Sequence, residues 1–83
     1  MFIHLGNDLV ISTMNMIAII NIEEPISADL KEILEIAEMD RKLINVSEKE
    51  KRKSMVICDE YVYVSPISSN TLHKRAIHYY KEG

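Results

Sequence analysis

Eighty-three residues with a net charge of −3, one cysteine, two glycines and two prolines form a single domain, 1–83, and leave no place for an intrachain disulfide, a disordered tract or a long linker. A chain this short buries only about 60–65% of the surface its unfolded form exposes, so its core is marginal and self-association is the remaining way to strengthen it. The longest apolar stretch, Met16 to Ile20, is far too short to cross a bilayer. The N-terminus lacks a basic region and Asp8 interrupts its apolar run, so no signal peptide is expected and the chain reads as soluble and cytoplasmic.

Phe2 to Leu5 is a short β-type run that turns at Gly6-Asn7-Asp8, and Leu9 to Ser12 is a second, rich in branched residues. Met16 to Ile22 is a third, apolar on both faces, which predicts a central strand covered from each side. Pro25 stops it. Ser27 offers a side-chain oxygen to cap the next helix, and Asp29 suits the positive first turn. That helix runs from Ala28 to Asp40, with Leu30, Ile33, Leu34 and Ala37 as its apolar stripe and Lys31, Glu32, Glu35 and Glu38 on the wet side. Ile36 and Met39 fall outside the stripe, Met39 among the glutamates. Single exposed apolar residues mean little, but two on so small a domain mark a candidate subunit contact.

Leu43 to Val46 is a fourth strand. Met55–Cys58 and Tyr61–Val64 flank Asp59-Glu60 at the spacing of a tight β-hairpin. After Ser65-Pro66, Ser68 or Ser69 caps a last helix over about Asn70 to Lys81, with Leu72, Ala76 and Tyr79 facing inward. The order βββαβββα predicts an α+β fold with two helices and a small, mainly antiparallel sheet.

Charge is divided sharply along the chain. Residues 41–54 hold six cations (Arg41, Lys42, Lys49, Lys51, Arg52 and Lys53) against Glu48 and Glu50, a local charge of +4, whereas residues 22–40 set seven carboxylates against Lys31, a local charge of −6. Screening confines each charge to roughly 8 Å at physiological salt. A basic loop therefore attracts phosphate even on an acidic molecule. The plain reading of the basic run is a solvated hairpin turn. The functional one is binding to the backbone of duplex DNA through Lys49, Lys51, Arg52 and Lys53, with Lys74 and Arg75 as weaker candidates. No aromatic lies inside the run, which disfavours single-strand stacking. Tyr61 and Tyr63 share one strand face, where packing with hydroxyls toward water is the expected role.

Catalytic chemistry finds little to work with. Gly6 is the only internal glycine, which excludes a P-loop and a dinucleotide fingerprint. His73 and His78, five positions apart, point to different sides of a helix, and no Cys/His spacing reads as zinc. His4 reads as a structural edge-strand histidine and Cys58 as inert core. Asp59-Glu60 at a hairpin tip lacks the burial that tunes a catalytic pair. No enzyme, metal or cofactor is expected. Neither helix has the basic polar face that anionic lipid would attract, so no membrane role is expected either.

Two segments carry a family resemblance. Met1-Phe2-Ile3-His4-Leu5-Gly6-Asn7-Asp8-Leu9-Val10-Ile11-Ser12-Thr13 and Tyr63-Val64-Ser65-Pro66-Ile67-Ser68-Ser69-Asn70-Thr71-Leu72-His73-Lys74-Arg75-Ala76 resemble the RemB (YaaB-type) branch of the RemA/RemB extracellular-matrix regulatory proteins of bacteria. The resemblance covers nearly the whole chain. It implies a LytTR-like subunit, assembly into a ring, and DNA-binding control of transcription at biofilm-matrix genes. In RemA-type chains an arginine-rich hairpin just before the penultimate β-pair carries DNA contacts; the matching positions here are Lys51, Arg52 and Lys53, with Lys49 beside them. A further DNA-linked arginine of the family falls near Met14-Asn15, which is uncharged here, and Glu48 and Glu50 dilute the basic run. These departures imply weaker DNA binding than in RemA-type relatives, or binding alongside a partner such as a paralogue.

Assembly suits the charge pattern. One subunit with three or four cations binds weakly at physiological salt, but a ring repeats the contact and gains avidity. Ring closure needs one patch to meet a different patch of the neighbour, with Ile36 and Met39 as candidates for one side. A second class remains open: an assembling subunit that works through a protein partner, with the acidic helix as its working face and no nucleic acid involved.

Overall fold

The computed structural model describes residues 1–46 and 51–82, with side chains as far as Ile77. Its elements are β1 (Phe2–Gly6), β2 (Leu9–Ser12), a 3-10 turn (Thr13–Asn15), β3 (Met16–Asn21), α1 (Ala28–Met39), β4 (Leu43–Asn45), β5 (Ser54–Cys58), β6 (Val62–Ser65) and α2 (Ser69–Glu82). β1 and β2 pair as a separate antiparallel hairpin, and the other strands form a sheet in the order β3-β5-β6-β4. The β3–β5 and β5–β6 pairs are antiparallel, and β4 joins β6 in parallel. This is the α+β arrangement that the strand and helix order predicts.

Alternation along the central strands divides the core in two. Val56 and Cys58 of β5 pack with Ile3, Leu5, Ile11, Val46 and Leu72 on one face of the sheet. Met55 and Val64 pack with Ile22 and Leu34 on the other. Helix α1 therefore covers one face, and the β1–β2 hairpin with α2 covers the opposite one. Two buried serines tie these layers together. Ser65 Oγ donates to the Leu5 carbonyl at 2.6 Å and accepts from the Ile67 N–H at 3.0 Å, while Ser54 Oγ donates to the Ile67 carbonyl at 2.7 Å.

β3 differs from expectation: it is an edge strand, not a central one. Its two-sided apolarity arises because the sheet is covered on both faces even at its edge, Ile19 packing with the hairpin-side core and Ile20 with the α1-side core. A register shift between Met16 and Ala18 turns Ile17 outward, 69% exposed.

Local chemistry explains the helix ends. Ser27 Oγ accepts from the Leu30 N–H at 3.2 Å, capping α1 as its sequence predicts. At the other end Arg41 takes φ 59°, its N–H donates to the Glu38 carbonyl at 3.1 Å, and the Lys42 N–H donates to the Ala37 carbonyl at 2.8 Å. That pair of bonds is a Schellman closure with arginine in the position glycine usually fills. Ser68 caps α2, its Oγ accepting from the Thr71 N–H at 3.2 Å, and Leu72 is fully buried. The side chain of Tyr79, expected to face inward, lies outside the described residues.

The β1–β2 turn uses positive φ at Gly6 (112°), Asn7 (46°) and Asp8 (64°). Asn and Asp tolerate this region, and Asn7 Nδ2 donates to the Val46 carbonyl, tying the turn to the end of β4. Gly6 has a second reason to be glycine, since a Cβ there would lie 3.2 Å from Pro66 Cγ and 3.3 Å from its Cδ. Replacing Gly6 with alanine is expected to cost about 1–3 kcal/mol of stability. Urea denaturation measures this as a lowered midpoint with unchanged slope; an unshifted midpoint would show that the turn relaxes without strain.

Candidate nucleic-acid interface

The basic segment enters the sheet through the backbone of Lys53. Its N–H donates to the Ser65 carbonyl at 3.0 Å, and its carbonyl accepts from the Ile22 N–H at 3.1 Å. These two bonds clamp the segment to the ends of β6 and β3 just before β5 begins. The side chains of Lys51 and Lys53 are exposed. Arg52 behaves differently: it is half-buried in a groove with Lys31, Leu34, Glu35, Glu38 and Leu43, and its Nε is buried with no hydrogen-bond partner among the described residues. Lys49, with Glu48 and Glu50, lies outside the described residues.

The remaining candidate cations sit on another layer. Lys74 and Arg75 are exposed on α2, and Arg75 Nη1 donates to the His4 carbonyl at 3.0 Å, bracing the helix on β1. Met14 and Asn15 form the turn before β3, with Met14 88% exposed. The Asn15 carbonyl accepts from the Asp59 N–H at 3.0 Å, which places this turn at the far end of β5 from Lys53. A five-residue strand separates the two by about 17 Å. Lys51 and Lys53 thus expose positive charge at one end of the sheet, Arg52 turns aside into the groove beside α1, and Asp59 and Glu60 make the opposite end acidic.

The tyrosines belong to that acidic end. Tyr61 and Tyr63 meet edge-to-face, with ring centroids 6.4 Å apart and planes at 60°. Tyr63 packs onto the hairpin-side core. Burial first, and then the neighbouring Cys58, Tyr61, Asp59 and Glu60, raise its hydroxyl pKa above the ordinary value. This is the packing geometry of an aromatic pair, not two parallel faces offered to bases. Ile36 and Met39 are 51% and 81% exposed on α1, and among the described residues of the basic segment Arg52 lines the groove beside that helix. Among the described residues no three His, Cys, Asp or Glu side chains gather as a metal site would require. Nor is any described helix long and apolar enough to cross a membrane.

Comparison with known proteins gives this geometry its context. The family model described as RemA-like, extracellular matrix regulatory protein A-like, matches residues 2–76. The chain belongs to the RemA-like family. It is also similar to extracellular matrix regulatory protein B of Bacillus subtilis (strain 168), with 37% identity over 76 residues that cover 92% of this chain and 90% of the relative. Both descriptions name regulatory proteins of the extracellular matrix. The RemA-like match takes in the terminal segments that carry the resemblance from Phe2 onward, and with them Lys51 to Lys53, Lys74 and Arg75.

Sequence reasoning found the cationic segment but missed the course of Arg52. No spacing rule links it to Glu35 and Glu38, because the three line one groove only through the packing of α1 beside β4. Cys58 is buried, and burial followed by the Asp59 carboxylate raises its pKa above that of an ordinary thiol. Less thiolate at a given pH means slower chemistry. Native protein at pH 8 is therefore expected to react with a disulfide reagent at least about tenfold more slowly than the urea-unfolded chain. Equal rates would place the thiol at the surface.

Proposed function

We propose that this RemA-like chain is a DNA-binding regulatory protein that acts in the cytoplasm as a ring-shaped homo-oligomer, in the transcription of biofilm extracellular-matrix genes. The observation that carries the reading is the cationic end of the sheet, where the Lys53 backbone is clamped between β3 and β6 while Lys51 and Lys53 face solvent. A clamped backbone presents its cations at low entropic cost, and each phosphate contact releases condensed counterions from the duplex. Lys51, Arg52 and Lys53 are the phosphate contacts in this reading, with Lys49 beside them and Lys74 and Arg75 as secondary ones.

Contacts of this kind position a protein on DNA without reading sequence. Three or four cations per subunit bind weakly, so the reading depends on repetition around a ring, where effective concentration multiplies modest attractions. DNA following such a rim is chosen by deformability more than by base edges. Ile36 and Met39, both exposed on α1, serve one side of the subunit contact. In this reading a related family member is a further partner, co-assembling in the ring. No part of this scheme calls for catalysis or a cofactor.

The exposure of Ile36 and Met39 on an acidic helix also favours a second reading, in which the oligomer acts through a protein partner and touches no nucleic acid. Salt separates the two. Under the first, affinity for duplex DNA falls steeply between 50 and 200 mM salt, and each single alanine substitution reduces the slope of log K against log salt by about 1 for every subunit in contact with the duplex. Substituting Lys51, Arg52 and Lys53 together with alanine is expected to abolish the gel shift while the oligomer persists in light scattering. Retained DNA binding by that triple variant would remove the basic segment from the interface.

A further inference from the structure

The outer faces of the two helices carry matching stripes of opposite character. On α1, Glu32, Glu35, Ile36 and Met39 stand at i, i+3, i+4 and i+7, and all four are exposed. On α2, Asn70, His73, Lys74 and Ile77 stand at the same spacing, and all four are exposed. Each stripe begins polar or charged toward the helix N-terminus and ends apolar toward the C-terminus. The apolar ends are large, with Met39 81% and Ile77 52% exposed. Ile17, on the β3 edge, extends the α2 patch: it is 69% exposed and lines a groove with His73 and Ala76.

The charges on the two helices oppose each other. Residues 28–39 hold Asp29, Glu32, Glu35 and Glu38 against Lys31, whereas residues 69–77 hold Lys74 and Arg75 with no carboxylate. The faces also lie on opposite sides of the sheet, since α1 packs on the Met55–Val64 face and α2 on the Val56–Cys58 face.

We infer that α1 of one copy docks on α2 and the β3 edge of a second copy, head to tail. The proposal rests on the reading that the chain self-associates, and it supplies the side of the contact opposite Ile36 and Met39. Aligned in the same direction, the two stripes bring Glu32 and Glu35 against His73 and Lys74, while Ile36 and Met39 cover Ile77 and Ile17. A face that meets a different face on its neighbour is heterologous, so the same contact repeats from copy to copy until it closes or runs on as a chain. The cations at the start of β5 belong to neither stripe, so assembly leaves Lys51 and Lys53 at the surface. Lys74 is then a subunit contact and not a secondary phosphate contact, which leaves that role to Arg75.

Charge reversal on the full-length chain tests the inference, with no DNA present. Glu35 and Lys74 are both exposed, so Glu35→Lys and Lys74→Glu are expected to leave the circular dichroism spectrum unchanged. By sedimentation velocity each single variant is expected to associate at least about tenfold more weakly than the parent, and the double variant Glu35→Lys/Lys74→Glu to regain most of the lost association. A parent that assembles while both single variants sediment identically to it would overturn this interface and leave self-association standing. A parent that sediments as a monomer at every concentration would overturn both. Because DNA is absent, neither outcome depends on whether the cationic end binds a duplex.

Discussion

The structure depends most on the buried pairing of Ser54 with Ser65 across the central strands. Both residues are fully inaccessible to solvent, and they stand opposite each other in the β5–β6 register. Buried hydroxyls cost free energy unless they are hydrogen-bonded. Here each finds a backbone carbonyl outside the sheet: Ser65 reaches Leu5 of the first hairpin, and Ser54 reaches Ile67 on the approach to α2. Two small side chains thus join three parts of the chain that apolar packing alone would leave free to slide. The directional bonds fix register, and the surrounding core supplies most of the favourable free energy.

The same junction places the cationic segment. Lys53 immediately precedes Ser54, and its own backbone bonds run to Ser65 and Ile22. Position at the site is thus inherited from the best-buried point of the fold. Arg52 lines the groove beside α1 with Leu34, Glu35, Glu38 and Leu43, and its Nε is buried there without a hydrogen-bond partner among the described residues. The side chains of Lys51 and Lys53 stay outward.

Much of this was legible in the sequence, and the division has a physical basis. The β5–β6 hairpin, the first turn, the Ser27 cap and the extent of α1 depend on neighbours within a few residues, so their signals survive without tertiary context. The charge split is a property of composition along the chain and was equally plain. What could not be read depends on distant partners. Ser65 and Leu5 are sixty positions apart, and nothing in the local pattern of either marks the bond. β3 looked central because edge and centre differ only in what lies alongside, and an edge strand covered on both faces has the same apolar run. Arg41 ends α1 where no glycine announced it, because arginine occupies the left-handed position and the closure shows only in the bonds around it.

The length of β5 has an electrical consequence. It holds the cationic end and the Asp59-Glu60 tip apart by about twice the screening distance in physiological saline. The two poles therefore act almost independently: an anion beside Lys51 and Lys53 lies beyond the screened reach of the Asp59 and Glu60 carboxylates. A five-residue strand is long enough to keep the acidic tip from cancelling the lysines.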